Sequence, residues 1–217
     1  MPPTTILIAS GRLDSAIRDL AGLGADAVGP IIQTVTSSSD ERLQTFLLIA
    51  LGSVNERHSI GQLQTEALSG LLTRKPPFPV RYWIMKNLAT IPLPAAVEPL
   101  EQALAGDDAL IAGVALQALV DRKQKASADK IVPLLEHGDT QLRIQAAMAL
   151  MILGNETHVD SLIKLLSDSD RAVQFAAVMA IECFAQPSFG LTPQDTDEQV
   201  QKKIADWLAQ RGKVTPP

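Results

Sequence analysis

The chain is poor in the residues on which many functional sites depend. Its 217 residues include one cysteine, one tyrosine and two tryptophans, and aromatic residues make up only 4% of it. A single cysteine excludes an intrachain disulfide, and we expect the Cys183 thiol to lie buried and inert on the apolar side of a helix. No apolar run approaches the roughly 18 residues of a membrane span. Residues 1–5 lack the features of a secretory signal, so we expect a cytoplasmic protein.

Positive charge is also in short supply. Acidic residues outnumber basic ones by 24 to 19, which gives a net charge of −5. This balance disfavours a protein that binds nucleic acid through bulk positive charge. The sequence contains no nucleophile elbow, phosphate-binding loop or zinc-peptidase motif. Two carboxylates on neighbouring helices could act as acid and base, but no motif points to such a pair.

Metal-ligand patterns are absent as well. The histidines, His58, His137 and His158, do not have the spacing of a metal site, and Cys183 has no partner motif. We expect these histidines to be solvated or to cap helices, as a cation near a helix C-terminus is favoured by the helix dipole. We therefore predict no metal and no cofactor.

The chain does contain a repeat. Asp108, Asp139 and Asp170 recur every 31 residues, and each opens a block with helical periodicity. In the block that begins at Asp139, apolar residues step by three or four along one stripe, which comprises Leu142, Ala146, Ala149, Leu150 and Leu153. The matching stripe one period later comprises Val173, Ala177, Ala180, Ile181 and Phe184. A period of about 30 residues with two helices in each unit predicts an α-solenoid.

The aspartates that define the period have a structural interpretation. An aspartate at the start of a helix accepts hydrogen bonds from free backbone amides and complements the helix dipole. We therefore interpret Asp108, Asp139 and Asp170 as helix N-caps rather than as ligands. Arg81 and Arg143 are expected to bond to the preceding unit or to a loop carbonyl.

The periodicity predicts five to six helix pairs, with breaks at Gly24 and Gly52 and prolines before residue 80. The predicted first helices cover residues 13–23, 40–51, 80–90, 108–120, 139–153 and 170–184. The predicted second helices cover residues 25–35, 60–72, 95–105, 127–136 and 157–166. A final helix over residues 195–210 carries Val200, Ile204, Trp207 and Leu208 on one face, with Trp207 as its main packing residue. We treat residues 1–217 as a single solenoid, with divergent repeats over 12–76, clear repeats over 77–185 and a C-terminal cap over 186–217.

The best copy of the repeat, Asp139–Gly154, has Asp, three residues, Arg and then Ala-Ala-x-Ala-Leu-x-x-Leu-Gly. This pattern resembles the short HEAT-like repeat known as the EZ-HEAT or PBS-lyase-type repeat. The other copies keep part of it: Gln174 and Ala112 replace the arginine, and the copy at Pro77 keeps Arg81 and Leu88. The resemblance implies an all-α, right-handed solenoid whose second helices line a concave groove. It implies a protein-interaction module or, alternatively, a bilin lyase or isomerase subunit or a pigment-protein chaperone.

The most unusual stretch is residues 74–86, which holds Tyr82 beside Trp83 among four basic residues. Aromatic and arginine side chains are enriched at binding hot spots, and base stacking uses the same residue types. Neighbouring helical residues point about 100° apart, so both rings are not expected to be fully buried, although one could pack where the repeat is irregular. A second basic cluster follows residue 121. The candidate partner-binding residues are Arg74, Lys75, Phe78, Arg81, Tyr82, Trp83, Lys86, Arg122, Lys123 and Lys125.

The predicted groove has a mixed polar surface. Its candidate residues are Glu98, Glu101, Gln102, Lys130, Glu136, Ser161 and Lys164, together with Gln62, Thr65 and Ser69. Such a surface suits a protein or peptide partner and lacks the aromatic lining of a small-molecule pocket. We therefore predict a non-enzymatic scaffold that binds a protein along its concave surface. A HEAT-like nucleic-acid-binding protein, such as an alkylpurine DNA glycosylase, is a further alternative that the net charge disfavours.

Overall fold

The computed structural model describes residues 15–55, 60–185, 188–190 and 195–211. These residues form helices and turns and contain no strand, which confirms the predicted all-α class. By internal contacts the chain divides into two compact units, Met1–Arg122 (unit 1) and Lys123–Pro217 (unit 2). None of the helices in the described ranges combines the length and hydrophobicity needed to cross a membrane.

Unit 1 is built from two layers of helices. Its helices are α1 (residues 15–22), α2 (Val28–Ser37), α3 (Glu41–Asn55), α4 (Gln62–Leu72), α5 (Phe78–Thr90), α6 (Val97–Leu104) and α7 (Ala109–Asp121). Helices α3, α5 and α7 pack side by side as a first-helix layer. Helix α2 packs on α4, and α4 packs on the 3₁₀ turn Pro94–Ala96 that leads into α6, which gives a second-helix layer. The apolar core includes Leu48, Leu51, Leu68, Ile84, Leu88 and Leu100, all fully buried.

Unit 2 repeats this plan with shorter second helices. Its helices are α8 (Ala128–Ile131), α9 (Thr140–Leu153), α10 (Val159–Lys164), α11 (Arg171–Glu182) and α12 (Asp197–Arg211). Helix α8 continues as the 3₁₀ turn Val132–Glu136, because Pro133 has no amide hydrogen to extend the α-helical ladder. Helices α9 and α11 pack side by side as the first helices of successive pairs.

The repeat aspartates are helix N-caps, as predicted. Asp108, Asp139 and Asp170 each precede a first helix, and a side-chain oxygen of each accepts a hydrogen bond from an amide in the first turn. The donors are the amides of Ile111, Leu142 and Ala172, at 3.3, 2.8 and 2.8 Å. The apolar stripe predicted for α9 is also confirmed, since all five of its members are buried.

The predicted break at Gly52 is wrong. Helix α3 continues through Gly52 to Asn55, and this glycine lies where α5 packs on α3. The buried Asn87 of α5 donates a hydrogen bond to the carbonyl of Leu48 at 2.9 Å. A Cβ atom on Gly52 would lie 3.8 Å from Oδ1 of Asn87. The glycine is therefore part of a helix–helix contact and does not end the helix.

Three side chains lie in environments that differ from their predictions. Cys183 is exposed, because it lies one period after Ile152 on a part of the first helix that faces solvent. Leu208 is 38% exposed, while Trp207 beside it is buried. Thr65, expected in the groove, is fully buried, and its hydroxyl donates to the carbonyl of Gly61 at 2.8 Å.

The end of unit 2 is covered by an aromatic pair. The rings of Phe189 and Trp207 stack with centroids 4.3 Å apart and planes 18° from parallel, and both side chains are buried. Glu182 accepts a hydrogen bond from the amide of Phe189 at 2.8 Å and so ties this segment to α11. The structure confirms that Trp207 is buried in the packing of α12, as expected for a terminal helix that covers apolar surface.

Candidate functional site

The aromatic and basic stretch enters α5 through a rigid turn. Lys75 has a φ of +50°, a left-handed conformation that is uncommon for a residue other than glycine. Pro76 and Pro77 follow it, and Pro79 occupies the first turn of α5. Proline fixes φ near the helical value and lacks the amide hydrogen that the first turn leaves unpaired. The sequence therefore starts α5 sharply and places Phe78 at its first position.

Three aromatic rings lie together on α5. Phe78 and Tyr82 are one helical turn apart, with ring centroids separated by 6.0 Å. Tyr82 meets Trp83 edge to face at 5.6 Å and 85°. Phe78 is 41% exposed, and Tyr82 and Trp83 are half-buried, so the two neighbouring rings are not both fully buried, as predicted. Lys86 follows one turn after Tyr82 on the same side of the helix. We call Phe78, Tyr82, Trp83 and Lys86 the α5 face.

The cations around the α5 face fall into two groups. Arg81 forms an ion pair with the N-cap Asp108 at 3.6 Å, which links it to the next repeat rather than to the preceding one. Arg74 donates a hydrogen bond to the carbonyl of Thr36 at 2.9 Å. Lys86 is exposed and makes no ion pair within the described ranges. The two arginines thus bond to other parts of unit 1, whereas Lys86 presents its charge to solvent.

Arg122 has a structural role at the end of α5. Its guanidinium donates to the carbonyls of Leu88 and Ala89, each at 2.8 Å, and to the carbonyl of Ile91. The last carbonyls of a helix have no partner within the helix, so Arg122 acts as a C-cap supplied by α7. Burial lowers the pKa of Arg122 below its ordinary value, while Asp121 acts in the opposite sense. We therefore leave Arg122 out of the proposed surface. Lys123 and Lys125, the remaining members of the second basic cluster, are exposed at the start of unit 2.

The groove candidates lie on the second helices. In unit 1, Glu98 is exposed on α6 and accepts a hydrogen bond from Gln102 at 3.2 Å, and Glu101 is half-buried. Glu98 and Glu101 lie in the second-helix layer, whereas the α5 face lies in the first-helix layer. The groove candidates of unit 1 and the α5 face are therefore on different layers. The candidates of unit 2, Lys130, Glu136, Ser161 and Lys164, lie on or beside α8 and α10.

An exposed ion pair connects successive second helices in unit 2. Lys164 and Glu136 lie 2.9 Å apart, and both side chains are 68% exposed. Exposed pairs of this kind contribute little, typically about 0.2 to 1 kcal/mol. Their side chains remain available to a partner at small energetic cost.

A more buried ion pair joins the first helix α9 to the loop that precedes α11. Arg143 contacts both carboxylate oxygens of Asp168, at 2.8 and 3.0 Å, and donates to the carbonyl of His137 at 2.9 Å. The loop carbonyl was expected, whereas the partner aspartate lies in the loop that leads into the following repeat. Burial alone would raise the pKa of Asp168, but hydrogen bonds from Arg143 and the Asp170 amide, together with the charge of Arg143, hold it below its usual value.

The two described histidines cap backbone groups, as predicted. Nδ1 of His137 accepts the amide hydrogen of Asp139 at 3.0 Å. The buried His158 accepts the amide hydrogen of Asn155 at Nδ1, and its Nε2 lies 3.1 Å from Oδ1 of Asp129. His58 lies outside the described residues. No group of three His, Cys, Asp or Glu side chains in the described part of the chain could hold a metal ion.

A second exposed apolar set was missed in the sequence. Ile152 of α9 and Phe175 and Met179 of α11 are 48%, 47% and 38% exposed. The sequence did contain an indication of this set. Helices α9 and α11 have apolar residues around most of their circumference, whereas a helix with one buried stripe has them on one side only. Periodicity alone does not separate such outward residues from core residues.

Comparison with known proteins places this architecture in a family. A family model described as HEAT repeats matches residues 65–151 and 97–182, which together cover more than half of the chain. One similar solved structure is an engineered protein from a structural genomics consortium, with 23% identity and a TM-score of 0.52 over 78% of this chain and 88% of that one. Another is a designed armadillo repeat protein, with 18% identity and a TM-score of 0.51 over 79% and 92%. No curated protein matches the sequence. The likeness in structure confirms the predicted α-solenoid, and the chain belongs to the HEAT repeat family.

Proposed function

We propose that this chain is a non-enzymatic interaction scaffold that binds a protein partner through the α5 face. The observation that carries the proposal is an aromatic pair, the exposed Phe78 and the half-buried Tyr82. It lies beside the exposed Lys86, whose charge has no ion pair among the described residues. Large aromatic side chains next to a cation form the type of surface that dominates binding energy at protein interfaces. HEAT-type solenoids present such surfaces on a rigid array of helices.

The α5 face lies outside the fully buried side of its helix. Helix α5 buries Val80, Ile84, Met85 and Leu88 against its neighbours. The rings of Phe78 and Tyr82 lie on another side of the helix, 6.0 Å apart, and Tyr82 meets Trp83 edge to face. Aromatic rings that stay partly in solvent are consistent with a binding surface.

The repeat aspartates and the most buried ion pair serve the fold. Asp108, Asp139 and Asp170 cap helices, and Asp168 pairs with Arg143. The lowered pKa of Asp168 follows from that structural pair. This assignment of the charged residues supports a binding role rather than a catalytic one.

The proposal is tested by affinity capture from extract of the source cells. Three immobilised forms are compared: the wild type, a Tyr82→Ala/Lys86→Glu variant of the α5 face, and Lys202→Glu, which makes the same charge change at an exposed lysine on α12. We expect a protein captured in stoichiometric amount by the wild type and by Lys202→Glu, and lost from the α5 variant.

Two results would contradict the proposal. Equal capture of the same proteins by all three forms would remove the α5 face from the binding surface. A coloured eluate with tetrapyrrole absorbance and no protein partner would favour the bilin-lyase or pigment-chaperone alternative instead.

A further inference from the structure

The α5 face lies in a region of the chain without acidic residues. From residue 67 to residue 97 there is no aspartate or glutamate, although the whole chain carries a net charge of −5. The same region contains Arg74, Lys75, Arg81 and Lys86. From this segregation of charge we infer that the partner segment is an acidic peptide with an apolar residue between its carboxylates. The inference rests on the proposed function and specifies the partner of the same site.

The charge available to a partner is smaller than the four cations suggest. Arg81 is neutralised by Asp108 at 3.6 Å. Arg74 is held on the Thr36 carbonyl at 2.9 Å but keeps its full charge. Lys75 and Lys86 are exposed and have no ion pair among the residues that the structure describes. The surface therefore offers cations at both ends of an aromatic patch rather than a continuous basic track.

The spacing of these groups selects the form of the ligand. Phe78 and Lys86 are eight residues apart on α5, which corresponds to about 12 Å along the helix axis. The other exposed cation, Lys75, precedes Phe78 by three residues. An extended peptide rises about 3.3 Å per residue, so carboxylates that reach both cations are separated by about four residues or more. An apolar side chain between those carboxylates would lie on the Phe78 and Tyr82 rings. An acidic, apolar, acidic pattern in an extended segment thus matches the surface.

The same geometry disfavours nucleic acid as the ligand. Binding of a single strand combines base stacking with several phosphate contacts along a positively charged groove. Here the arginine nearest the rings, Arg81, is already paired, and the rings of Tyr82 and Trp83 are only half-exposed. The protein is also acidic as a whole, and a nucleic-acid strand is long enough to extend beyond the local cluster of cations into that negative field. A short peptide with two carboxylates contacts only the local cluster.

The inference is tested by selecting random peptides of about 12 residues on the intact chain and measuring the enriched peptides by fluorescence anisotropy. We expect acidic residues on both sides of an apolar residue, and affinity that falls as salt is raised. Lys86→Glu should weaken binding by about tenfold or more, whereas the matched control Lys202→Glu should leave it unchanged. A peptide with lysine in place of its acidic residues should bind Lys86→Glu more tightly than the wild type.

The possible failures are distinguishable. If enriched peptides lack acidic residues but still lose affinity in Tyr82→Ala, the acidic preference is wrong and the α5 face remains the binding site. If peptides bind equally to the wild type, Tyr82→Ala and Lys86→Glu, or if none is enriched, both the preference and the site are overturned. Binding of a labelled DNA strand of about 20 nucleotides at low salt, weakened by Lys86→Glu, would replace the peptide with a nucleic acid. Circular dichroism of each variant checks that the fold is intact.

Discussion

The first helices of the two units use their outward positions differently. In unit 2, α9 and α11 follow the 31-residue repeat closely, and their polar residues join one repeat to the next. In unit 1, α5 keeps little of the repeat beyond Arg81 and Leu88, and it begins in a proline-rich turn. Its outward positions hold aromatic rings and Lys86 instead. Where the repeat is kept, its repeated polar residues serve the fold, although Ile152, Phe175 and Met179 remain exposed on the same helices. Where the repeat is broken, aromatic rings and Lys86 form the candidate site.

A pair of equivalent positions in unit 2 shows why repeat residues are structural. Arg143 and Gln174 occupy the same position of successive repeats, and each donates to the carbonyl six residues earlier, at 2.9 and 2.6 Å. The glutamine keeps this loop contact and lacks the ion pair that Arg143 makes with Asp168. The repeat thus preserves a contact rather than a residue type.

We expect the largest difference in stability between the units when the two tryptophans are replaced by alanine. Trp207 is buried against Phe189, so Trp207→Ala should destabilise the protein by about 3 to 5 kcal/mol, as for other large core truncations. The matched change Trp83→Ala removes a half-buried ring and should cost clearly less. Urea unfolding followed by circular dichroism measures both. An equal cost for the two changes would show that Trp83 is a core residue and would weaken the case for the α5 face.

Much of the fold could be predicted because residues of the repeat mark where its helices begin and end. The aspartate caps and the apolar steps of three or four located the first helices of unit 2 to within a few residues. The break at Gly52 could not be excluded from the sequence, since the residue that it contacts across the helices, Asn87, is 35 positions away. Cys183 was misplaced because α11 is apolar on two sides, and periodicity does not say which side is covered.

The candidate site could be predicted only in part. Unusual composition marked Tyr82, Trp83 and the cations around them, without any knowledge of the fold. The role of Arg122 could not be predicted, because its acceptors are backbone carbonyls of α5 more than 30 residues away. Every residue has such a carbonyl, so the sequence does not show which one accepts. The sequence also did not show that the α5 face lies in a different layer of unit 1 from Glu98 and Gln102, because the layers are visible only in the structure.

The ion pair between Arg143 and Asp168 should have the next largest effect. Only 13% of the arginine side chain and 12% of the aspartate side chain are exposed, so removing one partner leaves a poorly hydrated charge. Arg143→Ala should cost about 3 kcal/mol. Gln174→Ala, which removes one neutral hydrogen bond at the equivalent position, should cost about 1 kcal/mol. Thermal and urea unfolding compare the two, and a larger loss for Gln174→Ala would refute the ranking.

The same pair should make stability depend on pH in a defined direction. Because the pKa of Asp168 is lower in the folded protein than in the unfolded chain, its contribution is present above the unfolded value of about 3.9 and is lost as the pH falls through the folded value. At neutral pH the free energy of unfolding of the wild type should exceed that of Asp168→Asn by about 1 to 2 kcal/mol. Urea unfolding of both proteins from about pH 7 to about pH 3 should show this difference shrinking with acidification. A constant or growing difference would contradict the assignment.

The smallest effect on stability should come from the α5 face, where we expect the largest effect on binding. The charge of Lys86 has no partner among the described residues, and Phe78 and Tyr82 are partly in solvent. Lys86→Glu should therefore change the free energy of unfolding by no more than about 0.5 kcal/mol. Tyr82→Ala should cost about 1 kcal/mol, since part of its ring packs on Trp83. Unfolding curves and partner affinity measured on the same preparations separate the two roles. If Lys86→Glu or Tyr82→Ala lost as much stability as Arg143→Ala and left binding unchanged, the α5 face would have a structural role. The proposed difference between the first helices of the two units would then be wrong.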